Sequence, residues 1–120
     1  MILRYLLFIS LLAISPISLA LGAEIRLSHD EIKSYLEGKT VSHRPGGKTE
    51  FRQVFNANGT TTYKAAGRKA EHGKWSVQGN QYCSQWGPFG WTCYDMVAEG
   101  NLITWIAKEG TRFPGMIITD

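Results

Sequence analysis

KWSVQGNQYCSQWGPFGWTCYDMVAEGNLITWI, residues 74–106, is a run of short apolar-rich segments cut by turns at regular intervals. Gln78-Gly79-Asn80, Gly87-Pro88-Phe89-Gly90 and Glu99-Gly100-Asn101 are turn signals. Between and around them lie Lys74–Val77, Gln81–Trp86, Trp91–Ala98 and Leu102–Lys108, rich in aromatic and β-branched residues, which read as strands. Connections this tight return each strand antiparallel to the one before it. No second helix of useful length is present, so parallel βαβ units are excluded.

The stretch also holds both cysteines of the chain. Folding residues 82–93 about Pro88 places Cys83 opposite Cys93, Tyr82 opposite Tyr94 and Ser84 opposite Thr92. Cross-strand Cβ atoms lie about 4.5–5.5 Å apart and a disulfide needs about 3.8 Å, so a bridge fits with small adjustment. The competing readings are weaker. A redox pair is usually Cys-x-x-Cys, which this spacing is not. No histidine stands at ligand spacing for a metal. Tyr82, Tyr94 and Met96, with Ser84 and Thr92, form one strand face that reads as core. Gln81, Gln85, Trp91 and Asp95 share the cysteines' face, which reads as partly exposed. Trp75 and Trp105 read as core.

The same grammar extends to both sides. Glu50–Asn56, an Asn58-Gly59 hairpin turn, and Thr60–Ala66 precede the stretch; Gly67–His72 reads as a polar loop; Thr111–Thr119 follows; Thr40–His43 reads as a further strand. Upstream, Ser28-His29-Asp30-Glu31 is a capping-box pattern. Leu27, Ile32, Tyr35 and Leu36 then recur at helical spacing, and Gly38 is a natural stop. The expected fold is therefore all-β: a small antiparallel up-and-down barrel of seven or eight strands with one short N-terminal helix able to plug an end. Closure hides the sheet edges. A sandwich is the alternative.

MILRYLLFISLLAISPISLA, residues 1–20, has the order of a secretory signal: Arg4, an apolar run from Tyr5 to Ile14, then small residues at Ser18, Ala20, Gly22 and Ala23. The run is about half the length a membrane span needs. Cleavage is expected between 20 and 23, leaving a single barrel domain over 24–120, free of a stable membrane anchor, monomeric, and periplasmic or secreted. An oxidising compartment suits the disulfide. Without Arg4 the net charge of +3 falls to +2, too mild and too dispersed for a nucleic-acid binder.

Catalytic signatures are missing. There is no G-x-S-x-G, H-E-x-x-H or phosphate-binding glycine loop. His29, His43 and His72 read as solvated, on a helix start and two loops. Glu50, Glu71, Asp95, Glu99 and Glu109 are scattered. Asn58-Gly59-Thr60 matches a glycosylation sequon, but the turn already explains it. Arg44, Lys48, Arg52, Lys64, Arg68, Lys69 and Lys74 concentrate in the first half. A solvated surface is the simple reading; gathered at one barrel end, several would attract an anionic partner.

The order Leu36-x-Gly38-x-Thr40, Phe55-x-x-Asn58-Gly59-Thr60, Gly73-Lys74-Trp75-Ser76-Val77, Tyr82-Cys83-Ser84-Gln85-Trp86 and Trp91-x-Cys93-Tyr94 resembles small exported proteobacterial domains of the DUF995-like or lipocalin-like kind. The resemblance spans most of the chain beyond the signal. It implies a periplasmic barrel with no assigned catalytic residues. It departs from true lipocalins, whose Gly-x-Trp lies on the first strand rather than mid-chain. The expected function is non-catalytic: a binding or interaction protein using the stapled hairpin, with Trp86, Phe89 and Trp91 as contact residues for a periplasmic or extracellular protein partner. The alternative is a carrier of a small apolar ligand inside the barrel, which the bulk of the inward residues disfavours. No cofactor, metal or catalytic residue is expected.

Overall fold

The computed structural model describes residues 23–118. The expected export signal lies outside them, as does Thr119 at the end of the last expected strand. The elements are β1 (Ile25–Arg26), α1 (His29–Leu36), β2 (Thr40–His43), β3 (Phe51–Phe55), β4 (Thr60–Ala65), β5 (Glu71–Gln78), β6 (Gln81–Trp86), β7 (Thr92–Glu99), β8 (Leu102–Ile106) and β9 (Arg112–Ile118). From β2 to β9 each strand pairs antiparallel with the next. β9 then returns to β2 through Thr40↔Ile118, Val41↔Ile117 and Ser42↔Met116. The result is a closed eight-strand barrel, as the turn spacing predicts. β1, which sequence patterning does not reveal, adds two residues to β7 beyond the reach of β6.

The meander sorts the connections. Loops 44–50, 66–70, 87–91 and 107–111 stand at one end; 56–59, 79–80 and 100–101 stand at the other. The second end is plugged by α1. Ser28 N–H donates to Glu31 Oε1 at 3.0 Å to start the helix, and Gly38, at a φ of +75°, ends it. His29 binds the β5–β6 turn through its N–H to Asn80 Oδ1 and its ring Nδ1 to the Gly79 carbonyl. Gly38 N–H donates to the Phe55 carbonyl. An eight-residue helix is unstable alone. Here it is held by Leu27, Ile32 and Leu36, all buried among Val41, Phe55, Met96, Ala98, Ile103 and Ile117. Full burial of each such side chain is worth about 1.5–3 kcal/mol.

One segment differs from expectation. Gly67–His72 is not wholly a loop: β5 begins at Glu71, where Tyr63↔Glu71 and Thr62↔His72 extend its pairing with β4. His72 is exposed, and its Nδ1 lies 3.2 Å from Thr62 Oγ1. The polar residues are strand positions at a wet rim, a pattern that composition alone reads as loop.

Candidate functional site

Strand alternation sends Val41 and His43, Phe51, Gln53 and Phe55, Thr61, Tyr63 and Ala65, Glu71, Gly73 and Trp75, Tyr82, Ser84 and Trp86, Tyr94 and Met96, Ile103 and Trp105, and Phe113, Gly115 and Ile117 inward. Midway along the axis these residues close the interior with rings. Phe55 meets Trp75 edge-on at 5.6 Å and stacks on Trp105 at 6.0 Å; Tyr82 stacks on Trp75 at 6.2 Å. The Trp75 indole N–H is anchored on the Asn56 carbonyl at 2.9 Å.

Above this floor the barrel is not filled. A cavity of about 630 Å³ opens between the loops, walled by His43, Gln53, Tyr63, Tyr82, Ser84, Trp86, Tyr94, Trp105, Phe113 and Pro114, with Arg44, Pro45, Glu71 and Arg112 at the rim. A second recess of about 500 Å³, bounded by Phe51, Tyr63, Ala65, Arg68, Lys69, Ala70 and Glu71, shares Tyr63 and Glu71 with it. Two inward glycines shape the wall. A Cβ on Gly73 would lie 2.7 Å from the Trp86 ring and 2.8 Å from the Gln85 carbonyl; one on Gly115 would lie 2.6 Å from Val41 and 3.2 Å from the His43 ring. Trp86 and His43 thus pack against bare backbone, where a side chain on either glycine would displace them.

A buried polar chain crosses the wall. Thr61 Oγ1 donates to the Val54 carbonyl, so it accepts from Gln53 Nε2 at 3.0 Å; this turns Gln53 Oε1 toward His43 Nε2, which donates at 3.1 Å. Burial pulls the His43 pKa below 6.5, with the Gln53 bond and the Pro114 carbonyl only partly offsetting it. This corrects the expectation of a solvated loop histidine: inward strand parity on β2 and the space over Gly115 bring His43 into the cavity wall. Burial likewise raises the phenol pKa values of Tyr63 and Tyr82. Trp105 is 5% exposed, and its indole N–H has no acceptor among the described residues.

The hairpin register is the expected one. Tyr82↔Tyr94, Cys83↔Cys93 and Ser84↔Thr92 pair, and Cys83 and Cys93 form a disulfide with Cα atoms 4.0 Å apart. It lies on the outer face of β6–β7 beneath the 87–91 loop. On that face Asp95 Oδ1 accepts from Gln81 at 2.9 Å and from Arg26 at 2.7 Å. The three expected contact residues divide between the cavity and the outer surface. Trp86 turns into the cavity, 6.4 Å from Tyr63. Phe89 is 73% exposed at the loop tip, and Trp91 is 43% exposed on the outside.

Of the basic residues, Arg44, Lys48, Arg68 and Lys69 gather at the open end, whereas Arg52, Lys64 and Lys74 take outward strand positions. Among the described residues no group of three His, Cys, Asp or Glu side chains comes together as a metal site, and no helix is long and apolar enough to cross a membrane. Comparison with family models, curated proteins and solved structures finds no match for the chain.

Proposed function

We propose that this protein is an exported, non-catalytic barrel that holds a small, largely apolar ligand in its open end. The observation that carries the reading is the unfilled aromatic half of a barrel whose other half is tightly packed. The cavity of about 630 Å³ falls within the roughly 300–1,000 Å³ of small-molecule sites. Its walls are mainly aromatic, with a few fixed polar groups from His43, Gln53 and Ser84. The bulky inward residues that disfavour a carrier in the sequence include Tyr63, Trp86, Tyr94 and Phe113, which here wall the cavity rather than fill it. The disulfide fits an oxidising compartment and pins β6 to β7 beside Trp86.

The test is a fluorescence titration with the neutral apolar probe N-phenyl-1-naphthylamine. The expected result is saturable one-to-one binding, weakened at least tenfold by Ser84→Phe, which fills the cavity from its wall. Absence of saturable binding, or binding indifferent to that substitution in a folded variant, contradicts the reading.

The exposed Phe89 and Trp91 favour a second reading, in which the stapled hairpin docks on a protein partner. Changing both to Ala would then abolish capture of that partner without lowering the melting temperature.

A further inference from the structure

We infer that the ligand of the open end is a small organic anion with a flat apolar body, of the chemistry of an arylcarboxylate. This rests on the cavity being a ligand site.

The body is read from the walls. Tyr63, Trp86, Tyr94 and Phe113 line the cavity with aromatic surface, against which a planar apolar group packs well.

The anionic head is read from the charge around the opening. The loops at this end, with the strand ends Glu71 and Arg112, carry Arg44, Lys48, Arg68, Lys69, Lys108 and Arg112 against Glu50, Glu71 and Glu109. The positive excess of the chain is thus focused where a ligand enters. Arg44 and Arg112 stand at the cavity rim itself, and among the described residues Glu71 is the sole carboxylate bounding either recess. Both arginines are weakly committed. Arg44 sits 3.8 Å from Glu50, which Arg52 already holds at 3.2 Å. Arg112 pairs with Glu24 where both side chains are nearly half exposed, and such pairs contribute little. A ligand carboxylate taking a guanidinium in two parallel bonds displaces them readily. Arg68 and Lys69, over the adjoining recess, have no carboxylate partner among the described residues.

The experiment is competition against bound N-phenyl-1-naphthylamine by two molecules of one shape: 2-naphthoate, an anion, and 2-naphthamide, neutral. The expected result is displacement by naphthoate at least tenfold more effective than by naphthamide. The Arg44→Gln/Arg112→Gln double variant removes the difference, whereas Lys108→Gln, outside the cavity lining, keeps it. If both competitors displace the probe equally, the anion inference is wrong and the cavity reading stands. If the difference survives in the double variant, the arginines do not read the charge. If the probe does not bind, the cavity reading has failed, and this inference with it.

Discussion

At the plugged end, Leu27, Ile32 and Leu36 from the β1–α1 segment enter the barrel and join a packed apolar cluster with Val41, Phe55, Met96, Ile103 and Ile117. At the open end the same strands, a few residues further along, present His43, Gln53, Tyr63, Ser84, Tyr94 and Phe113 to an unfilled space. Strand physics does not distinguish the two halves, since both alternate and both close. The difference comes from what covers each end and from where glycine stands. A helix follows β1 and caps one mouth. Four loops ring the other and leave it uncovered. Gly73 and Gly115 leave bare backbone where the Trp86 and His43 rings pack. Tight packing is therefore concentrated at one end and open space at the other.

Substitutions should expose that division. The largest effect is expected from Leu36→Ala, which empties a fully buried site in the plug. It should cost about 2–5 kcal/mol in urea unfolding, against less than about 1 kcal/mol for the half-exposed Phe113→Ala. Replacing both cysteines by Ala should remove about 3 kcal/mol, read from the unfolding midpoint in oxidising and reducing buffer. Gly73→Ala should cost about 1–3 kcal/mol by overpacking. Because the new methyl meets the Trp86 ring, Trp86 fluorescence and probe affinity should change with it.

Smaller is a pH effect. Burial puts the folded pKa of His43 below its unfolded value of 6.5, so the unfolded chain binds the proton first. Its contribution is complete above pH 6.5 and is lost as pH falls from there through the lowered folded value. Glu31 and Glu50 are held below 4.5 by the Ser28 N–H and the Ser42 hydroxyl respectively, so their losses begin only in more acid solution. Stability measured against pH should thus begin to fall between 6.5 and 4.5, and His43→Gln should abolish that early step. The smallest effect, within about 0.5 kcal/mol, is expected for Phe89→Ala at the exposed loop tip.

Much of this architecture is legible in the residues because its signals are local. Asn58-Gly59, Gly79-Asn80 and Gly100-Asn101 mark turns, and Pro88 sets a register that brings Cys83 to Cys93. The capping box at Ser28 starts a helix that ends at Gly38. The open end is not local. His43, Gln53, Tyr63, Tyr94 and Phe113 come from five strands, and their convergence follows only once β9 has met β2. Gly73 stands two residues before Trp75 and reads as part of a motif, while its role is to leave room for Trp86 on the neighbouring strand. Gly115 is equally silent until Val41 and His43 are seen above it. Parity offers the one usable hint: on β3 the core-facing sequence Phe55, Gln53, Phe51 turns polar midway, which a uniformly filled barrel would not need. Parity also shows that Trp86 and Trp91 belong to opposite faces.

The most direct test uses the four tryptophan indole N–H signals in a nitrogen-edited NMR spectrum, assigned by single Trp→Phe variants and followed while 2-naphthoate is added. Each reports a different place: Trp86 and Trp105 the cavity wall, Trp75 the packed floor anchored on Asn56, and Trp91 the outer hairpin. The account predicts saturable shifts of Trp86 and Trp105, with Trp75 and Trp91 nearly still. Shifts confined to Trp91, or no saturable shift at any indole, would contradict it.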